Sequence, residues 1–193
     1  MTKEKQHRIR CAIIGLGRIG STLEFDRLRE KPASHAGAIT AHPECCIVAG
    51  CDTVPEKRAA FEKAWGCTAL YDSYSQMLEK TEIDILHIAT PPETHRDILR
   101  AALEHAIPVI ICEKPLAGTR ADGEEMARMA KRAPSKIIIN HERRYARNYA
   151  RAKEVIDSGL YGKTVSIVAK VYMGYRAKAA DVLLDDGTHM VDL

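Results

Sequence analysis

The feature that most constrains the fold is a regular alternation between short apolar runs and longer amphipathic segments. Five runs rich in β-branched residues have the length of buried strands: IRCAII (9–14), CIVAGC (46–51), IDILHIAT (83–90), IPVIIC (107–112) and KIIIN (136–140). Helical spacing marks segments between them: PEKRAAFEKAW (55–65), PETHRDILRAALEH (92–105) and ADGEEMARMAKRA (121–133). Strands that alternate with such helices form a parallel sheet covered on both faces. The sequence therefore predicts an α/β fold with a doubly wound parallel sheet.

The pattern changes near residue 141. Residues 142–159 have a single amphipathic period that ends at a glycine, which predicts one long helix. Residues 163–175 alternate polar and apolar side chains, as a strand with one exposed face does. A further helix follows at the end of the chain. We therefore expect residues 1–141 to form one domain, and residues 142–193 to be the truncated start of an α+β domain with one helix, one strand and one helix.

Composition excludes several classes of protein. The formal net charge is only +3 and the basic residues are scattered, which argues against a nucleic-acid partner. The polar N-terminus has no secretory signal, and no apolar stretch approaches the length of a membrane span. The six cysteines have no CxxC spacing and mostly accompany strand-like runs, which is typical of reduced thiols. We expect a cytoplasmic protein with neither a nucleic-acid nor a membrane partner.

The first strand leads directly into GLGRIG, a glycine pattern typical of dinucleotide-binding Rossmann folds. Gly15 permits the turn, Gly17 lets the backbone approach a pyrophosphate, and Gly20 allows a helix to pack closely. The less specific interpretation is a tight strand-to-helix turn without a ligand. The predicted cofactor contacts in this loop are Gly15, Leu16, Gly17, Arg18, Ile19 and Gly20.

Asp52 ends the second strand, where a carboxylate accepts hydrogen bonds from the adenosine ribose and repels a 2′-phosphate. The sequence therefore favours NAD. Asp52 lies about thirty residues beyond the glycines instead of about twenty, because Pro32 interrupts the first helix before it resumes at Ser34. Lys57 and Arg58 follow closely and could accommodate a phosphate, so NADP stays open as the alternative cofactor.

After the fifth strand comes CEKPLA (112–117), whose Lys114 lies at the edge of the sheet where open α/β folds bind ligands. With this segment the chain resembles the Gfo/Idh/MocA family of glucose-fructose oxidoreductase and inositol dehydrogenase. The resemblance covers nearly the whole sequence. Its further motifs are GLGRIG, VAGCD, ATPPETH (89–95), NHERRY (140–145), SGLYGK (158–163) and LLDDGTH followed by VDL.

The resemblance implies an NAD(P)-dependent dehydrogenase that transfers hydride between the nicotinamide and a secondary hydroxyl or ketone of a sugar or polyol. It implies a catalytic set of Lys114, Asp185 and His189. His189 would remove the hydroxyl proton, Asp185 would orient or bind, and Lys114 would stabilise the oxygen charge. The residues that it places along the cofactor or substrate are Thr90, Pro91, His95, Glu113 and Lys114 for the cofactor, and Arg144 for the substrate.

Less specific interpretations exist for several of these residues. Asp185 could simply be an acid favoured at a helix N-terminus. A metal site formed by Asp185, His189 and Asp192 is geometrically feasible, but we expect no metal. His87 lies in a buried-looking strand and is predicted to be a hydrogen-bonded core residue. The histidines predicted to lie at the surface or at helix ends are His35, His42 and His105.

The alternative function is a stand-alone dinucleotide-binding or interaction module without turnover. Members of the family normally continue well beyond this helix, so we expect impaired activity in a chain of 193 residues. Val165 and Ile167 share one side of the predicted strand in the second domain. An apolar face of this kind, left without a partner, predicts a homo-oligomer that forms through the incomplete second sheet.

Overall fold

The computed structural model describes residues 8–170, residue 182 and residues 187–192. The chain divides into two compact units, Met1–Ile139 and Asn140–Leu193. The strands are β1 (Ile9–Ile14), β2 (Cys45–Cys51), β3 (Leu70–Tyr71), β4 (Ile85–Ile88), β5 (Val109–Glu113) and β6 (Lys136–Asn140). The helices that accompany them are α1 (His35–Ala41), α2 (Pro55–Trp65), α3 (Tyr74–Lys80), α4 (His95–Glu104) and α5 (Arg120–Arg132).

The strands form a six-stranded sheet in the order β3-β2-β1-β4-β5-β6. β1 lies in the centre and pairs in parallel with β2 on one side and with β4 on the other. β2 also pairs in parallel with β3, and β4 pairs in parallel with β5. The predicted doubly wound parallel sheet is confirmed. β3 was not predicted, because two residues are too short to carry a pattern.

Successive residues of β1 enter two separate cores. Ala12 and Ile14 face a core that also contains Met77 of α3, Leu99 of α4 and Met126 of α5. Cys11 and Ile13 face the opposite core, which is filled by Ile39 of α1 and Phe61 of α2. Alternate side chains of a strand point to opposite faces, so a strand buried on both faces is apolar throughout. This explains why β1 and its neighbours have continuous apolar sequences.

Local signals fix the helix ends. The side chain of Ser34 accepts a hydrogen bond from the backbone N–H of Gly37 at 3.0 Å and caps α1. Pro55 occupies the first turn of α2, where its missing N–H costs nothing, and Gly66 ends that helix with φ of +69°. Thr119 caps α5 through Asp122.

The helix predicted directly after Gly20 is wrong. Turns follow the glycines and lead to a 3-10 helix, Thr22–Phe25, and regular helix begins only at His35. The carboxylate of Glu24 explains the interruption, because it accepts hydrogen bonds from the backbone N–H groups of Ala33 and Ser34 at 2.8 and 3.0 Å. It therefore closes the intervening loop, which contains Pro32, against the 3-10 helix.

The second unit differs from its prediction in two places. Residues 142–159 do not form one helix, because Ala146 is extended with ψ of 136° and separates a 3-10 helix, Glu142–Tyr145, from α6 (Arg147–Asp157). No strand occurs in residues 164–170, and the rest of the strand predicted over 163–175 lies outside the described residues. The last described helix is α7 (Thr188–Asp192).

The cysteines do not form disulfide bonds. All six cysteines are free thiols. Burial raises the pKa of the Cys51 and Cys112 thiols to about 12, because the thiolate loses its hydration in an apolar core.

Within the described parts of the chain, no helix has the length and apolar character that crossing a membrane requires.

The core predicts a clear difference between two leucines. Leu86 in β4 is 0% exposed, whereas Leu28 in the loop after the 3-10 helix is 94% exposed. We expect Leu86→Ala to lower the free energy of unfolding by about 3 kcal/mol and Leu28→Ala by less than about 0.5 kcal/mol. Urea denaturation followed by the fluorescence of Trp65, the only tryptophan, measures both. Equal losses would contradict the buried position of β4.

Candidate functional site

Four candidate segments follow the carboxyl ends of neighbouring strands in the first unit. Gly15 to Gly20 follow β1, Asp52 follows β2, and Thr90 lies two residues after the end of β4. Glu113 is the last residue of β5, and Lys114 comes directly after it. Parallel strands present their carboxyl ends at one edge of the sheet, and ligands bind there where the strand order reverses. In this sheet the reversal lies between β1 and β4.

The glycines of the loop differ in what requires them. A Cβ at Gly15, where φ is +93°, would lie 2.5 Å from the carbonyl oxygen of Ala89. A Cβ at Gly20 would lie 2.0 Å from the carbonyl oxygen of Gly15. The φ of Gly17 lies outside the left-handed region, and a Cβ there would meet no atom within 4 Å. Gly15 and Gly20 are therefore required by the fold, whereas nothing inside the described chain requires a glycine at position 17.

The other residues of the loop have separate positions. Leu16 is buried in the core between the sheet, α1 and α2. Arg18 is exposed, and Ile19 is half-buried with its carbonyl accepting a hydrogen bond from the backbone N–H of His35 at 2.9 Å. The indole N–H of Trp65 donates to the Ser21 hydroxyl at 2.9 Å, so the only tryptophan is joined to the residue after Gly20.

Asp52 is buried, and its carboxylate is held from two sides. Its Oδ2 accepts the backbone N–H of Leu16 at 2.9 Å, and its Oδ1 accepts the backbone N–H of Val54 at 3.0 Å. The nearby cations differ in their contacts. Lys57 Nζ lies 3.6 Å from Asp52 Oδ2, while Arg58 donates to the backbone carbonyl of Asp52 at 2.6 Å. The acid thus lies against the glycine loop, with a positive charge beside it.

His95, the first residue of α4, is fully buried and lies between Thr90 and the backbone that follows Lys114. One ring nitrogen, Nε2, lies 2.8 Å from the Thr90 carbonyl oxygen, and Nδ1 lies 3.2 Å from the Leu116 carbonyl oxygen. Thr90 also accepts a hydrogen bond from the Thr94 hydroxyl at 2.8 Å, and Pro91 is exposed. Since both ring nitrogens of His95 face backbone carbonyls, this geometry favours an indirect role for His95, and its predicted contact with a cofactor stays a prediction.

Glu113 and Lys114 occupy different environments. Glu113 is buried, and its Oε2 accepts the backbone N–H of Lys114 at 3.2 Å. The Lys114 side chain belongs to a half-buried residue. Glu113 Oε1 lies 2.9 Å from His35 Nε2, and His35 Nδ1 lies 2.9 Å from His87 Nδ1.

Of the two positions predicted for His35, at the surface or at a helix end, the second is confirmed and the first is wrong. His35 does begin α1, but it is buried, because Ser34 caps the helix and turns its first residue toward the sheet. The prediction that His87 is a hydrogen-bonded core residue is confirmed. Burial, together with the neighbouring His35, lowers the pKa of His87 to about 3, so its imidazole is neutral at neutral pH.

In the second unit, His189 of α7 is buried beside the 3-10 helix Glu142–Tyr145. Its Nε2 lies 3.7 Å from Glu142 Oε1, and its ring packs edge-on against that of His141 with centroids 6.0 Å apart. Asp185, the predicted partner of His189, lies outside the described residues. Among the residues that are described, no group of three His, Cys, Asp or Glu side chains could hold a metal ion.

Arg144 is paired with an acid on α7. Its guanidinium forms a two-point ion pair with the Asp192 carboxylate, with Nε at 3.1 Å from Oδ2. This hydrogen bond lowers the pKa of Asp192 and raises that of Arg144. The role of Arg144 in binding a substrate stays a prediction, and its ion pair orients α7 within the second unit.

The arrangement in the first unit fits a dinucleotide. The pyrophosphate needs backbone N–H groups and close approach, and the open position at Gly17 provides that approach. A ribose needs a carboxylate, and Asp52 lies beside Leu16 of the same loop. The glycine loop and this acid are typical of a dinucleotide-binding site.

Comparison with known proteins agrees with this geometry. Residues 9–141 match the Gfo/Idh/MocA model, described as an oxidoreductase family with an NAD-binding Rossmann fold. The inositol 2-dehydrogenase of Salmonella typhimurium is 30% identical over 165 residues, which are 85% of this chain and 46% of that protein.

Two solved structures are similar as well. The WlbA dehydrogenase of Bordetella pertussis, in complex with NADH and UDP-GlcNAcA, has a TM-score of 0.69 and 29% identity over 80% of this chain and 43% of that chain. The scyllo-inositol dehydrogenase of Lactobacillus casei, with NAD(H) and scyllo-inositol, has a TM-score of 0.68 and 25% identity over 79% and 42%. The chain spans less than half the length of these relatives. With its fold, its glycine loop and this match over residues 9–141, the chain belongs to the Gfo/Idh/MocA family of oxidoreductases.

Proposed function

We propose that this chain binds NAD and supplies the cofactor site and catalytic lysine of a dehydrogenase that acts on a secondary hydroxyl of a sugar or polyol, or on the matching ketone. The observation that carries the proposal is the open position at Gly17, between two glycines that the backbone itself requires. The substrate class is supported by relatives that are inositol dehydrogenases. Because the chain spans less than half of their length, its own turnover belongs to the proposal.

In this proposal, the first unit binds and orients the cofactor. The loop from Gly15 to Gly20 receives the pyrophosphate, and Asp52 receives the adenosine ribose and favours NAD over NADP. Thr90 and Pro91 line the cofactor, while His95 and Glu113 hold the segments that carry Thr90 and Lys114. NAD, when bound, supplies the hydride acceptor. Lys114 donates a hydrogen bond to the substrate oxygen and stabilises the charge that develops there.

The proton is assigned to the second unit. His189 takes the hydroxyl proton as the carbinol carbon loses hydride, so the products are the ketone, the reduced cofactor and a protonated imidazole. A neutral imidazole is a suitable base near pH 7. Asp185 is proposed to orient the substrate or the base, and Arg144 to contact the substrate side of the site. Residues 142–193 are proposed to be the start of the substrate and oligomerisation domain.

Two further parts of the proposal concern surroundings and assembly. The free cysteines support a reducing compartment, and we place the protein in the cytoplasm.

Val165 and Ile167 are largely exposed, which supports self-association through this segment. Light scattering at rising concentration tests it, and a monomer at all concentrations would refute it.

Substitution at two glycines separates folding from binding. We expect Gly17→Ala to change the free energy of unfolding by less than about 0.5 kcal/mol, because its Cβ meets open space. NADH affinity should fall at least about tenfold, because the methyl group occupies the path of the pyrophosphate. Gly20→Ala should instead destabilise the fold by more than about 2 kcal/mol. Trp65 fluorescence reports both quantities. Unchanged NADH binding in Gly17→Ala would remove the loop from the cofactor site.

The charge at position 52 predicts cofactor preference. Asp52→Asn keeps an oxygen that can accept the Leu16 N–H but removes the negative charge next to Lys57. We expect the preference for NADH over NADPH to fall by about tenfold or more, since a 2′-phosphate is no longer repelled. Lys57→Met is the matched control and should leave NADH preferred. Wild-type protein that prefers NADPH would show that Lys57 or Arg58 governs the ribose end.

Loss of the lysine tests the chemical role. Lys114→Ala should bind NADH almost as wild type does, while turnover falls by about a hundredfold or more. Lys80→Ala, which changes an exposed lysine at the end of α3, is the control. NADH formation over a panel of polyols and sugars is the measurement. Turnover that survives Lys114→Ala would remove Lys114 from the mechanism, and NADH binding without any turnover would favour the alternative of a binding module.

A further inference from the structure

Three buried polar side chains form a continuous chain beneath the carboxyl edge of the sheet. His87 belongs to β4, His35 to the start of α1, and Glu113 to the end of β5. They are 6%, 6% and 4% exposed. His87 Nδ1 lies 2.9 Å from His35 Nδ1, and His35 Nε2 lies 2.9 Å from Glu113 Oε1. The role proposed above for Lys114 leaves both histidines unused.

The two ring contacts restrict where the protons lie. Two facing Nδ1 atoms form a hydrogen bond only if one of them carries a proton and the other does not. With Glu113 ionised, a consistent assignment has His87 donating from Nδ1 to His35, and His35 donating from Nε2 to the carboxylate. Both imidazoles are then neutral, and every one of these contacts is a hydrogen bond. The low pKa of His87 agrees with its neutral form.

The backbone of His35 connects the same residue to the glycine loop. Its N–H donates to the Ile19 carbonyl at 2.9 Å, and the next N–H, that of Ala36, donates to the Gly20 carbonyl at 3.1 Å. Through its side chain His35 holds Glu113, whose other oxygen accepts the Lys114 N–H. One residue therefore contacts both the loop that follows β1 and the segment that carries the lysine.

We propose that His35 is a positioning residue, which holds Lys114 at a set distance from the glycine loop through the Glu113 carboxylate, and that His87 fixes the orientation of the His35 ring. The proposal rests on the function proposed above only in naming Lys114 as the lysine that meets the substrate. A buried network whose members are all hydrogen-bonded holds one geometry, because breaking any contact leaves a polar group unsatisfied in a site of low dielectric. The competing interpretation is a set of core polar groups that stabilises the fold as a whole.

Two substitutions separate the two hydrogen bonds of His35. The amide nitrogen of glutamine reaches roughly the position of Nε2, so His35→Gln can still donate to Glu113. The shorter amide of asparagine reaches roughly the position of Nδ1, so His35→Asn keeps only the contact toward His87. Both variants lack the imidazole, so a difference between them cannot be due to loss of the ring itself.

Hydrogen exchange of the Lys114 backbone N–H is the first measurement, because it needs no catalytic activity. We expect exchange in His35→Asn to be at least about tenfold faster than in wild type, as expected when a hydrogen bond to a carboxylate is lost nearby. In His35→Gln it should stay within about threefold of wild type. The amide of Ile110 in β5 is the internal reference and should change in neither variant. Equal acceleration of Lys114 and Ile110 in both variants would overturn the proposal in favour of a purely structural network. Unchanged exchange at Lys114 in His35→Asn would overturn it as well.

Nitrogen-15 spectra of the histidine rings provide the second measurement. Wild-type protein should show His87 protonated at Nδ1 and His35 protonated at Nε2, each as one fixed tautomer. Averaged tautomers at His35 would overturn the proposal.

Cofactor binding and turnover distinguish this inference from the function on which it depends. His35→Asn should leave the NADH dissociation constant within about threefold of wild type while lowering kcat by about tenfold or more, with partial recovery in His35→Gln. If wild-type protein binds no NADH, the proposed function fails, and the exchange and ring spectra still decide whether His35 positions Lys114. If NADH binds but Lys114 exchange is insensitive to His35, the positioning role alone fails.

Discussion

Backbone segments meet at the carboxyl end of β1 so closely that no side chain fits between them. The carbonyl oxygens of Ala89 and Gly15 occupy the places where side chains of Gly15 and Gly20 would begin. This contact brings the loop after β1 against the loop after β4, at the point where the strand order reverses. A Cβ at Gly17, in contrast, would meet no atom within 4 Å. The rest of the candidate site is arranged around a close approach that only glycine permits.

Buried polar side chains extend this contact to the neighbouring strands. Asp52 accepts the N–H of Leu16, His95 lies between the carbonyls of Thr90 and Leu116, and Glu113 accepts the N–H of Lys114. Each of these groups is buried, so each must find a hydrogen-bond partner within the protein. In each case backbone of a candidate segment supplies one. The hydrogen bonds that satisfy these buried groups therefore hold the backbone of the four segments in place at the carboxyl edge of the sheet.

The sequence predicted the main elements of the first unit because their signals are local. Continuous apolar runs marked β1, β2, β4 and β5, and the spacing of apolar residues marked α2, α4 and α5. The prediction failed where a distant residue decides the structure. The helix expected after Gly20 is replaced by turns because Glu24 captures the backbone of Ala33 and Ser34, a contact that no local pattern announces. The two-residue strand β3 exists because of its pairing with β2.

The candidate site likewise contains residues that the sequence predicted and contacts that only the tertiary structure shows. By itself, the sequence determined the fold class, the glycine loop, the acid that ends β2 and the lysine that follows β5, because strand order along the chain places these residues at one edge of a parallel sheet. A polar histidine within the apolar run of β4 also signalled that His87 needs a partner. Only the tertiary structure decided that this partner is His35, fifty-two residues away along the chain, and that His35 also contacts Glu113. Contacts between residues so far apart depend on how helices pack against the sheet, and the local periodicity that predicts an element carries no information about that packing.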